Sequence, residues 1–201
     1  NFVGPGVHLD VTAQVGWSST GVHLYFRVHY EMDGSVVVPG PSPTDLLWFG
    51  DAVELFLKGD SNVTGNFDPT ADLGALHLVA TPDPTNPPRS QAFFSDSDSA
   101  APTVPSGDVA VQQNPDGYSL EFFVPWTYLL APSESVPEAG SKIGFDFGVD
   151  YRDRDAAATT SDQPSYQLLL LQGPVTGTTC PSGQGLPPCD DRTWCTPVLA
   201  H

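Results

Sequence analysis

The chain has 201 residues, with 24 acidic against 7 basic side chains and a formal net charge of −17. That imbalance argues against nucleic acid and anionic membrane surfaces, which are gripped by clustered Lys and Arg, and no apolar run is long enough to insert a helix through a bilayer. Only 15% of residues are charged, and 19 glycines with 21 prolines predict many short strands joined by turns.

Period-two alternation dominates the chain. His8–Trp17 is a first, weak strand. In GVHLYFRVHYE, Val22, Leu24, Phe26, Val28 and Tyr30 share one face, and His23, Tyr25, Arg27, His29 and Glu31 share the other. The proline-rich PGPSPTD leads into WFGDAVELFLKGD, where Val53, Leu55 and Leu57 alternate around Glu54, with Trp48 just outside the strand. Gly74–Ala80 and Asp108–Gln113 are weaker strands. PDPTNPPRS and SDSDSAAPTVPSG read as loops, since proline removes a backbone donor and glycine permits positive φ. After NPDG, the segment GYSLEFFVPW alternates Leu120, Phe122 and Val124 with Ser119, Glu121 and Phe123. VPWTYLLAPSE predicts a helical turn or two, bounded by Pro125 and Pro132. In KIGFDFGVDYRDRD, Ile143, Phe145, Phe147, Val149 and Tyr151 line one side, while Asp146, Asp150 and two glycines line the other. Tyr166–Leu171 and Arg192–Leu199 complete the series, with PSGQGLPP between them. The pattern predicts an all-β, antiparallel β-sandwich of jelly-roll or immunoglobulin-like two-sheet architecture, with one short helical turn. The length fits a single domain over residues 1–201 with no internal repeat.

Four segments stand in a recognisable order: GWSSTGVHLYFRVHY, WFGDAVELFL, DGYSLEFFVPWTYL, and IGFDFGVDYRDRD followed by DDRTWCTPVL. From Val11 to the C-terminus this series resembles the family 9 carbohydrate-binding modules and their relatives among the DOMON-like β-sandwiches. In that family a sugar, often at a chain end, is held between two tryptophans. The resemblance implies that Trp48, ahead of the D-x-V-E strand, and Trp194, near the C-terminus, form this clamp, and that Glu54 is the sugar-binding glutamate. The chemistry is sound on its own terms. Indoles can cover the apolar faces of a pyranose while polar side chains read its rim, and a carboxylate accepts charge-assisted hydrogen bonds from hydroxyls. The chain departs from the family in GALHLVA: positions that hold an arginine and an asparagine fall on His77 and Val79, and only histidine can bond a hydroxyl. The resemblance implies non-catalytic binding of a polysaccharide or oligosaccharide. The setting it implies is a secreted or cell-surface protein that tethers an enzyme domain to its substrate.

The family also commonly binds structural calcium. The acidic loops here offer Asp150, Asp153 and Asp155 at one strand end, with Asp96 and Asp98 as a second close pair. Cys180, Cys189 and Cys195 lie among prolines, and in an extracellular protein two of the three form a disulfide candidate. Zinc with His201 as a fourth ligand is the alternative, though the spacing fits no zinc motif. The start at Asn1, without methionine or signal peptide, is what a mature or trimmed fragment would show.

Catalysis finds little in the sequence. There is no G-x-S-x-G elbow, and the mid-strand acids Glu54 and Glu121 have no spacing that would bring two carboxyls to one glycosidic bond. The chain is therefore expected not to be an enzyme. DOMON-like sandwiches also include haem-binding electron-transfer modules, for which Met32 with His23, His29 or His77 are the available ligands. A diverged adhesion or spacer domain with an empty site is a further alternative.

Overall fold

Alternation in sequence becomes alternation in burial. In the strand Gly21–Tyr30, Val22, Leu24, Phe26, Val28 and Tyr30 are buried, while His23 is exposed and Tyr25, Arg27 and His29 are half-buried. The computed structural model describes residues 2–4, 7–30, 36, 47, 50–60, 75–83, 90–93, 109–130, 133–151, 166–169 and 198–200. Its elements in chain order are β1 (Phe2–Gly4), β2 (Val7–Trp17), β3 (Gly21–Tyr30), β4 (Ala52–Lys58), β5 (Ala75–Ala80), β6 (Ser90–Phe93), β7 (Val109–Asn114), β8 (Gly117–Pro125), α1 (Trp126–Leu129), β9 (Gly144–Tyr151) and β10 (Tyr166–Leu169). The strands form two five-stranded sheets, β1-β2-β3-β8-β7 and β10-β9-β4-β5-β6, and every pairing is antiparallel. This is the expected all-β sandwich with one short helix.

One hydrophobic core lies between the sheets. The first sheet contributes the inward residues of β3 with Tyr118, Leu120, Phe122 and Val124 of β8. The second contributes Val53, Leu55 and Leu57 of β4, Leu76 and Leu78 of β5, and Phe145, Phe147 and Val149 of β9. Phe26 joins the layers, meeting Phe122 edge-on at 5.8 Å and Phe147 of the opposite sheet at 5.1 Å. The Tyr118 hydroxyl also crosses, donating to Ala52 O at 3.4 Å.

Pro125 fixes φ at −59° ahead of α1, and extended Leu130 ends the helix after one turn. Its Trp126 is 2% exposed and donates Nε1–H to Ser18 O at 2.9 Å. Half-buried Trp17 donates Nε1–H to Ala200 O at 2.7 Å. The end of the predicted strand Arg192–Leu199 is seen where Val198 bridges Lys142 and Leu199 enters the core; residues 192–197 lie outside the described residues.

Two expectations change. The sequence reading assigned no strand at β1 or β6; both are edge strands of three or four residues, too short to show a period. The alternation of Val53, Leu55 and Leu57 around Glu54 predicts a half-buried β4, yet all seven of its residues are buried. The sandwich core covers one face, and on the other Leu47 packs with Ala52 and Val79.

Candidate functional site

The face of β4 turned away from the core carries Ala52, Glu54, Phe56 and Lys58, because successive side chains of a strand point to opposite sides. Register fixes their neighbours. Glu54 stands between Val79 of β5 and Gly148 of β9, Phe56 between His77 and Asp146, and Ala52 beside Asp150. The three central strands thus set His77 and Asp146 on either side of the Phe56 ring, with Glu54 next along the strand and Asp150 farther on beside Ala52.

Glu54 and His77 sit diagonally across the β4–β5 ladder and touch. His77 Nε2–H donates to Glu54 Oε2 at 2.6 Å, and both residues are buried. Phe56 stacks on the imidazole with ring centroids 4.5 Å apart and planes inclined by 19°. The sequence placed these residues on strands, but as separate candidates for bonding sugar hydroxyls. The structure brings them together under cover.

On the other side of Phe56, Asp146 is 2% exposed. Its Oδ1 accepts the Phe147 backbone N–H at 2.8 Å. Burial pushes its pKa up to about 7, against the opposing pull of that N–H. Neither Asp146 nor Phe56 was a site candidate in the sequence. Period two placed both on the face of Glu54 and Asp150, which was the available signal.

Asp150 and Asp51 are both fully buried. Burial raises the pKa of the Tyr118 hydroxyl well above its ordinary value, and Tyr30, Asp51 and Asp150 add to the rise. Among the described residues no three His, Cys, Asp or Glu side chains gather as a metal site. Trp48, Trp194, Asp96, Asp98, Asp153, Asp155, Cys180, Cys189, Cys195 and Met32 lie outside the described residues.

The fold separates other pairings raised by the sequence. Glu121 projects from β8 on the far side of the first sheet and is exposed, so the sandwich stands between it and Glu54. The two sheet layers alone hold them about 10 Å apart or more, beyond the span of a glycosidase carboxyl pair. His23 and His29 lie on that same far face, six residues apart along β3, about 20 Å at strand rise. No two of His23, His29 and His77 can reach one iron.

No protein-family model matches the chain, and no curated protein matches it. Solved structures do share its fold. A family 9 carbohydrate-binding module from Caldicellulosiruptor kristjanssonii in complex with cellotriose superposes with a TM-score of 0.62 at 14% identity, over 96% of this chain and 75% of that one. A family 9 module from the same organism in complex with glucose gives 0.59 at 16% identity, covering 95% and 76%. A candidate carbohydrate-binding protein from Bacteroides uniformis ATCC 8492 gives 0.50 at 14% identity, covering 95% and 78%. The class that fold and face define is a two-sheet antiparallel sandwich with a polar cluster on one outer face. Its fold is that of the family 9 carbohydrate-binding modules.

Proposed function

We propose that this domain is a non-catalytic carbohydrate-binding module that takes a polysaccharide or oligosaccharide at the outer face of the second sheet. The observation that carries this reading is the likeness in fold to modules solved with cellotriose and with glucose. In the proposal, Trp48 and Trp194 cover the two faces of one sugar ring, and Glu54, held by His77, accepts from its hydroxyls. A carboxylate is an acceptor at both oxygens, which suits a ligand edged with O–H donors. The acidic chain does not repel a neutral sugar. We place the module in a secreted or surface protein, where it would tether an enzyme domain to its substrate. No helix among the described residues is long and apolar enough to cross a membrane.

Calcium belongs to the same proposal. Asp150, with Asp153 and Asp155, would supply carboxylate oxygens for a hard cation. Support comes from the close spacing of Asp150, Asp153 and Asp155 at one strand end. The ion would brace the strand ends and take no part in binding the sugar.

Titration calorimetry with cellotriose and with glucose tests the reading. The expected affinity is micromolar or weaker, about −8 kcal/mol or smaller in magnitude, because hydroxyls must shed water and a small ligand covers little area. Trp48→Ala should abolish binding and leave the melting temperature nearly unchanged. If that variant unfolds, Trp48 is a core residue and the clamp is wrong.

A further inference from the structure

Leu47 belongs to no strand, yet it is 2% exposed. It is buried with Ala52 of β4 and Val79 of β5, in a small cluster apart from the main core. Both partners lie on the outer face of the second sheet, since their strand neighbours Val53, Leu78 and Ala80 face the core. Register sets Val79 directly across from Glu54, and Ala52 precedes Glu54 on the same face of β4. Leu47 therefore rests on the flank of the acceptor carboxylate. Its backbone is held as well. Leu47 O accepts the N–H of buried Gly50 at 3.3 Å, an i to i+3 closure that turns the chain into β4.

Trp48 follows Leu47 in the chain, and consecutive Cα atoms are about 3.8 Å apart. An anchor on Leu47 is thus an anchor on the backbone that carries Trp48. The anchor is apolar: Leu47, Ala52 and Val79 leave water together, which favours one seat over the many positions of a free loop. Val79 cannot bond a hydroxyl, and this gives it a different use, as the surface on which Leu47 sits. A loop ordered before its ligand arrives has less freedom to lose on binding.

We propose that Leu47, seated on Val79 and Ala52, is a positioning residue of the sugar site, fixing the backbone of Trp48 beside Glu54 in the free protein. Leu47 itself touches no sugar. The inference rests on the sugar-binding reading, with Trp48 as one side of the clamp, and adds what sets that side in place. Without the seat the tryptophan samples other positions, and apparent affinity falls with the fraction of molecules that hold it correctly.

The test pairs cellotriose calorimetry with fluorine NMR of protein labelled with fluorotryptophan, the Trp48 line being the one lost in Trp48→Phe. Folding is checked by circular dichroism. Leu47→Ala should bind roughly tenfold more weakly, or worse, and should shift or broaden the Trp48 line while the Trp126 line stays in place. Leu47→Met, close in volume, should restore both. Val79→Ala removes part of the seat and should act in the same direction. Wild-type affinity in folded Leu47→Ala overturns the inference and leaves sugar binding intact. Weaker binding with an unmoved Trp48 line means that Leu47 acts by another route, and also overturns it. If Leu47→Ala fails to fold, Val79→Ala decides by the same two readings; if neither folds, the cluster is part of the core alone and the inference is wrong. Absence of cellotriose binding by the folded wild type removes the sugar reading itself, and this role with it.

Discussion

His77 and Glu54 illustrate how a buried charge is made tolerable. Glu54 is 4% exposed, and the histidine N–H at 2.6 Å supplies a hydrogen bond that water would otherwise give. His77→Ala removes that donor and the ring on which Phe56 stacks. It should cost about 2 kcal/mol or more in urea unfolding, and an unchanged midpoint would contradict the pairing. Asp146 predicts a pH effect on stability. Its folded pKa, about 7, lies above the 3.8 of an exposed aspartate. The folded state therefore holds a proton that the unfolded chain has lost, and stability falls as pH rises. The contribution is complete below the lower value and gone above the upper one. Asp146→Asn should flatten the unfolding free energy across that window, and an unaltered slope would contradict the assignment. Alternation in the sequence turned Glu54 away from the core residues of its strand, and this was legible. Its contact with His77 was not, because it depends on the β4–β5 register, and a shift of one residue would send His77 to the other face.

At the scale of the element, long strands announce themselves and short ones do not. β3, β8 and β9 are long enough for their period-two alternation to show which residues share a face. β1 and β6 have too few residues to show a period. The burial of both β4 faces depends on contacts from outside the strand, such as Leu47, which strand periodicity does not encode. The β7–β8 hairpin was legible as NPDG, and its geometry explains the residue choice. Gly117 has φ of 139°, and a Cβ there would overlap Val28 O of β3. The preceding Asp116 accepts from Arg27 Nη2 at 2.5 Å, and the Tyr30 N–H donates to Asp116 O at 2.8 Å, so the turn is clamped onto β3. Gly117→Ala should destabilise the domain by about 2 kcal/mol or more through strain and overlap together. A melting temperature within about 1 °C of the wild type would contradict this.

For the whole molecule, the sandwich gives each sheet one face for the core and leaves the other for different work. The second sheet's outer face gathers an acceptor, a histidine, an aromatic ring and a protonatable carboxyl. The first sheet's outer face carries His23, Arg27, His29 and Glu121 with more exposure to water. If calcium braces the strand end at Asp150, a ligand bound only by the folded state adds to its stability. EDTA should then lower the melting temperature, and an identical melt in chelator and in excess calcium would contradict the ion. The central claim is that sugar binds the outer face of the second sheet. Amide chemical-shift mapping during a cellotriose titration tests it most directly. The account predicts saturable shifts clustered at Glu54, Phe56, His77, Val79 and Asp146. Shifts confined to the outer face of β3 and β8, or none at saturating sugar, would contradict it.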